Sequence, residues 1–164
     1  MLFNKGGDVN LCNNNSKSPL YIASFKGHKD CVEFLLNNGA EVNKCDSKGL
    51  SPMYLASQRG STSILEMLFD KGGDVNLCIK KNRKTPLYIA SFYGHKDCVD
   101  FLLNNGAEVN KCDSMGCSPL YVASKKSHYL VLEMLFNKGG DVNLCNNNSK
   151  SPLYIASFKG HKDC

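Results

Sequence analysis

The sequence predicts an all-α solenoid, in which short helix-turn-helix units stack along one axis and are joined by loop or β-hairpin fingers. Three observations predict it. The strings SPLY (18–21), SPMY (51–54), TPLY (85–88), SPLY (118–121) and SPLY (151–154) begin 33, 34, 33 and 33 residues apart, a period typical of stacked repeats. A longer period lies over the first. SPLYIASFKGHKDC (18–31) recurs as TPLYIASFYGHKDC (85–98), whereas SILEMLFDKGGDVNLC (63–78) recurs as LVLEMLFNKGGDVNLC (130–145), so odd units resemble odd ones and even units even ones. Finally, every unit opens on a hydroxyl residue followed by Pro, a pair suited to starting a helix.

Within a unit, Ser18, Ser51, Thr85, Ser118 or Ser151 caps the first helix, which runs through residues such as Leu20, Ile22, Ala23 and Phe25. Gly27, Gly60, Gly94 and Gly160 stop it, with Ser127 standing in the fourth full unit. A second helix follows with apolar residues at helical spacing, Val32, Phe34, Leu35 and Leu36 in the first case. Asn38-Gly39 and Lys71-Gly72-Gly73 end it, because Gly adopts the left-handed backbone after a last turn. Asp46-Ser47-Lys48-Gly49 then reads as a turn. Helices this short are marginal alone and depend on their neighbours.

The composition fits a globular, water-exposed chain: 164 residues, 42% hydrophobic, formal net charge +5 and no Trp. No apolar stretch is long enough to span a bilayer, and the start has no secretory leader pattern. The odd count of nine Cys argues for thiols in a reducing compartment, the cytoplasm or nucleus, rather than for a disulfide framework.

SPLY, GHKD and FLLNNGAEVN together resemble the ankyrin repeat, whose signature opens on T-P-L-H, carries G-H between helices and continues L-L-x-x-G-A-x-V-N. The resemblance covers the whole chain. It divides the sequence into a partial unit 1–17, repeats 18–50, 51–84, 85–117 and 118–150, and a partial unit 151–164. By register Met1 and Cys164 fall at second-helix positions and neither end carries a polar cap, so a segment of a longer array is expected. The resemblance implies a concave face that grips another protein. Tyr21, Tyr54, Tyr88, Tyr121 and Tyr154 replace the family's His. Ser16 and Ser149 replace the finger glycine kept as Gly49 and Gly116, and the 79–84 finger has one extra residue. Odd-numbered fingers are therefore expected to be less regular. Asn10, Asn43, Asn76, Asn110 and Asn143 hold the Asn position that asparaginyl hydroxylases modify in similar proteins; read as residues, they satisfy backbone groups of the finger turn.

No catalytic or metal-binding constellation is legible. His28, His95, His128 and His161 occur once per unit at one register, which favours a structural role over convergence on a ligand. No cofactor and no metal are expected. Cysteines also follow the period. Cys31, Cys98 and Cys164 sit at second-helix positions, where Cys31 and Cys98 read as small buried hydrophobes. Cys12, Cys45, Cys78, Cys112 and Cys145 sit at finger bases, too far apart along a ladder to pair. Cys112 and Cys117 flank one turn, and stand either as a disulfide or as two free thiols.

Function is expected at the ends of the first helices and at the finger tips. The candidate partner-binding residues are Phe25, Lys26, Lys48, Gln58, Arg59, Lys81, Arg83, Phe92, Tyr93, Lys125, Lys126, Phe158 and Lys159. Twelve cations lie in those segments (Lys17, Lys26, Lys48, Arg59, Lys80, Lys81, Arg83, Lys84, Lys125, Lys126, Lys150 and Lys159) against Asp46 and Asp113 alone; elsewhere eight cations face thirteen acids. Such a basic face with aromatic anchors suits a protein partner with an acidic surface or peptide. The alternatives are that the Phe side chains pack between helices, or that the same Lys and Arg bind nucleic acid or another polyanion. Because residues 1–31 repeat letter for letter at 134–164, head-to-tail self-association is a further expectation.

Overall fold

A computed structural model of the chain describes residues 6–161. Met1 and Cys164 lie outside the described residues, which form nine α-helices and no strand. The first helices of successive units are α1 (Pro19–Lys26), α3 (Pro52–Arg59), α5 (Pro86–Tyr93), α7 (Pro119–Lys126) and α9 (Pro152–Phe158). The second helices are α2 (Lys29–Asn37), α4 (Thr62–Asp70), α6 (Lys96–Asn104) and α8 (Tyr129–Asn137).

Each first helix opens by one device. The hydroxyls of Ser18, Ser51, Thr85, Ser118 and Ser151 accept from the amides of Tyr21, Tyr54, Tyr88, Tyr121 and Tyr154 at 3.0–3.1 Å. The Pro that follows each cap needs no amide partner there. These helices stop at left-handed residues, Gly27, Gly60, Gly94 and Ser127 in the four complete units. At Gly60 and Gly94 a side chain is excluded twice. Their φ values are +74° and +75°, and an added Cβ would lie 2.8 and 2.6 Å from the rings of His95 and His128.

First helices stack on first helices and second on second, with the first-helix row more closely packed. Between the rows runs a continuous apolar core that includes Leu20, Val32, Met53, Leu65, Leu87, Val99, Leu120 and Leu135. Fully burying each such side chain contributes roughly 1.5–3 kcal/mol, which is how helices of seven to nine residues persist.

The fingers are hydrogen-bonded turns rather than β-hairpins. Asp46 N donates to Leu50 O at 3.1 Å and Gly49 N to Asp46 O at 2.9 Å, after which the chain re-enters a helix cap with no ladder to extend. The odd-numbered fingers are as regular as the others, contrary to expectation. Ser16 and Ser149 adopt φ of 59° and 57°, and Asn13 N donates to Lys17 O at 3.1 Å as Asn146 N does to Lys150 O at 3.0 Å. The turn's hydrogen bonds outweigh the modest cost of a left-handed Ser. The extra residue of the third finger is accommodated between Ile79 N and Lys84 O, 3.0 Å apart, with Arg83 left-handed at φ 57°.

Polar side chains join the units. Asn10, Asn43, Asn76 and Asn110 do not serve their own turns. Each Nδ2 donates to a glycine carbonyl of the next unit (Gly39, Gly72, Gly106 or Gly139) at 2.9–3.0 Å. Each Oδ1 accepts the amide of Glu41, Asp74, Glu108 or Asp141 at 2.8–2.9 Å. The histidines reach backwards: Nε2 of His95, His128 and His161 lies 3.1, 3.1 and 3.3 Å from the carbonyls of Gln58, Phe92 and Lys125. Cys98 is buried, with Sγ 3.4 Å from Thr62 Oγ1 of the preceding unit. Cys31, expected to be buried like it, is exposed, because no described side chain holds the place that Thr62 takes against Cys98.

Candidate functional site

The candidate residues gather where the first helices end. A left-handed stop at the same point in every unit brings the two preceding side chains to one register: Phe25 and Lys26, Gln58 and Arg59, Phe92 and Tyr93, Lys125 and Lys126, Phe158 and Lys159. Neighbouring pairs interlock. Arg59 Nε donates to Phe25 O at 2.8 Å while its guanidinium lies 4.5 Å from the Phe25 ring centroid. Lys126 Nζ lies 4.5 Å above the Phe92 ring, and Tyr93 meets Phe92 edge-on at 5.1 Å while stacking on His95 at 5.8 Å.

Burial divides the aromatic anchors. Phe25 and Phe92 are half-buried, packed against the cluster of Tyr21, Tyr54, Leu55 and Ile89, with a cation of the next unit over each ring. They are part packing and part surface. Tyr93 and Phe158 keep 46% and 69% exposure, and Lys150 and Lys159 lie 5.7 and 5.9 Å from the Phe158 ring. Lys48, Lys81 and Arg83 are exposed on the second and third fingers. Gln58 is half-buried, its carbonyl taken by His95.

Beneath this surface runs a row of buried tyrosines, each facing the first residue of its own unit's finger, always 25 positions further on. Tyr21 faces Asp46 and Tyr88 faces Asp113, while Asn146 Nδ2 donates to the Tyr121 hydroxyl at 3.2 Å. Burial, and then the Asp46 carboxylate, pushes the Tyr21 phenol up to about 12. Burial drives Tyr88 up too, with Asp113 adding to it. Tyr54 alone faces an apolar residue, Ile79, and burial raises its phenol to about 12.

Cys112 and Cys117 carry free thiols. The residues paired across their turn are Asp113 and Cys117, with Asp113 N donating to Cys117 O at 3.0 Å. Cys117 turns inward to Tyr88, Tyr121 and Ile155, while the Cys112 thiol donates to Asn110 O at 3.5 Å. Burial raises the pKa of Cys45, Cys98, Cys112 and Cys117, leaving them protonated and weakly nucleophilic near neutrality. No group of three His, Cys, Asp or Glu side chains among the described residues is placed to hold a metal ion. No helix among them is long and apolar enough to cross a membrane. The arrangement offers recognition chemistry: cations, exposed aromatic faces and phenol donors.

Curated proteins provide no match to the chain. A family model described as ankyrin repeats (three copies) matches residues 1–78 and again 73–145, and members of that family are generally protein-binding modules. Helix pairs with a Ser/Thr-Pro cap, an inter-unit Asn bridge and finger turns, under a match that spans most of the sequence, show that the chain belongs to the ankyrin repeat family.

Proposed function

We propose that the chain, read as a single array, is a non-catalytic scaffold that takes an acidic segment of a partner protein across the first-helix ends and finger tips. One observation carries this reading. Among the described residues the only ion pairs are Lys44–Glu41 and Lys111–Glu108, which leaves Lys26, Arg59, Lys81, Arg83, Lys125, Lys126 and Lys159 without a carboxylate of their own. Closer packing in the first-helix row supports a surface curved towards that side, and with it the reading that one extended segment reaches these cations. Charge of this kind steers an acidic partner, and the exposed faces of Tyr93 and Phe158 add burial once it arrives.

Fluorescence anisotropy with a labelled hexaglutamate peptide tests the proposal. The paired change Lys125→Glu and Lys126→Glu is expected to weaken binding about tenfold or more. A single-stranded oligonucleotide that bound more tightly than the peptide, with affinity falling steeply between about 50 and about 200 mM salt, would favour the polyanion alternative instead.

A second copy of the chain is also a partner on this reading. Ile22 and Cys31 are exposed on the outer side of α1 and α2, and Leu153 and Phe136 line a groove of about 360 Å³ beside α8 and α9. Stacking α1 of one copy on α9 of another repeats the first-helix joint found inside the array, with the same residues on offer because α1 and α9 share the sequence PLYIASF. Sedimentation velocity is expected to show association that grows with concentration. A monomer at every concentration sinks the idea.

A further inference from the structure

Adjacent fingers are zipped by backbone hydrogen bonds at three of their four joints: Ser47 N to Asn15 O at 3.1 Å, Ser114 N to Asn82 O at 2.9 Å and Asn147 N to Met115 O at 3.0 Å. Among the described residues no such bond joins the second finger (46–50) to the third (79–84). This joint involves the longer finger. A cleft of about 810 Å³ lies there, lined by Lys48, Lys80 and Lys81 with Tyr54 and Asp46.

Three features of the cleft point the same way. Tyr54 is only 5% exposed, and its hydroxyl has no hydrogen-bond partner among the described residues, whereas Tyr21, Tyr88 and Tyr121 face Asp46, Asp113 and Asn146. The described residues' buried side-chain polar atoms without a partner are Ser24 Oγ and Ser91 Oγ, so the Tyr54 hydroxyl, though most of its ring is covered, stays open to the cleft and free to donate to an incoming acceptor. Among the described residues the Lys80 amide is also without an acceptor. The cleft lining carries three lysines against a single carboxylate. That carboxylate, Asp46, is already engaged by the amides of Lys48 and Leu50, both at 2.9 Å, and by Tyr21.

We propose that this cleft is an anion pocket that takes a carboxylate side chain of the acidic partner segment, with the Tyr54 hydroxyl and the Lys80 amide as donors and Lys48, Lys80 and Lys81 as counter-charges. Ile79 is the determinant: at the position where two other units carry their own aspartate, it leaves the acceptor to the partner. The inference rests on the acidic-partner reading above and adds the point at which the segment is anchored.

The test uses the full chain with labelled hexaglutamate, read by anisotropy, and by ¹⁵N amide spectra in which Lys80 is the reporter. Tyr54→Phe is expected to weaken binding about fivefold or more, because a hydrogen bond to a charged group is lost. Ile79→Asp is expected to do the same by supplying a resident carboxylate, and the Lys80 resonance should stop responding. Tyr88→Phe, whose hydroxyl already faces Asp113, should bind as the wild type does. If Tyr54→Phe and Ile79→Asp, confirmed folded by circular dichroism, bind at wild-type affinity while the Lys125→Glu and Lys126→Glu pair does not, the pocket is wrong and the scaffold reading stands. If hexaglutamate fails to bind the wild type, both fall. Inorganic phosphate shifting the Lys80 resonance where hexaglutamate does not would mark a small-anion site and overturn the proposal.

Discussion

At the scale of single residues, the tyrosine row separates side chains of one type by what faces them. Tyr88→Phe removes the partner of a buried carboxylate and is expected to cost about 1–3 kcal/mol at neutral pH. Tyr54→Phe removes a hydroxyl with no partner and should change stability by less than about 0.5 kcal/mol. Alkali reverses the order of interest. The Tyr54 phenol is raised in the folded chain to about 12 from about 10 when unfolded. The folded state therefore holds its proton more tightly. The associated stability is intact below about pH 10 and is lost as pH climbs towards 12, by roughly 2–3 kcal/mol for a shift of this size. Urea midpoints at about pH 8 and about pH 11 check this: Tyr54→Phe should lose less stability between them than the wild type. The substitution of Tyr for His was legible in the sequence. That Tyr54 lacks a polar partner was encoded there too, in the constant offset from each Tyr to Asp46, Ile79, Asp113 or Asn146. The offset gains meaning only when the finger folds back over the helix.

At the scale of the element, every finger turn except the third depends on its first residue rather than on a glycine. Asp113 Oδ1 accepts the amides of Met115 and Cys117, both at 2.9 Å, and Asn146 Oδ1 accepts those of Asn148 and Lys150, both at 3.0 Å. Asp and Asn thus perform one task, and Ser149 tolerates a left-handed backbone because that task is done. Asp113→Ala is expected to cost about 2–3 kcal/mol by leaving two amides and a phenol unsatisfied, whereas Asp113→Asn should cost less than about 1 kcal/mol. Thermal unfolding of the two variants decides it, and equal losses would reject the account. The expectation of irregular odd fingers weighed the missing glycine, which is visible in the sequence, above the side-chain-to-amide bonds, which depend on the rotamer that the turn selects.

At the scale of the whole molecule, cohesion resides in the joints between units. Each of four joints has an Asn bridge making two hydrogen bonds, and three histidines reach back to first-helix carbonyls. Asn76→Ala removes the bonds to Gly106 O and from Glu108 N, both 2.9 Å long, at the middle of the array. A loss of about 2 kcal/mol is expected, with urea unfolding broadening or splitting into two steps, since a repeat array is a chain of nearest-neighbour couplings. A single transition with an unchanged slope would show that the apolar core alone sets cooperativity.

Period, helix pairing, caps and the basic bias of the first-helix ends were all determined by sequence alone, because capping and amphipathic spacing are local and each unit restates them. Tertiary structure decided what depends on residues more than twenty positions apart: which aromatic rings are half-covered by the next unit's cations, which hydroxyl is left without an acceptor, and which pair of fingers stays unzipped. Those outcomes turn on distances of a few ångströms across a joint, which no local pattern in the sequence sets.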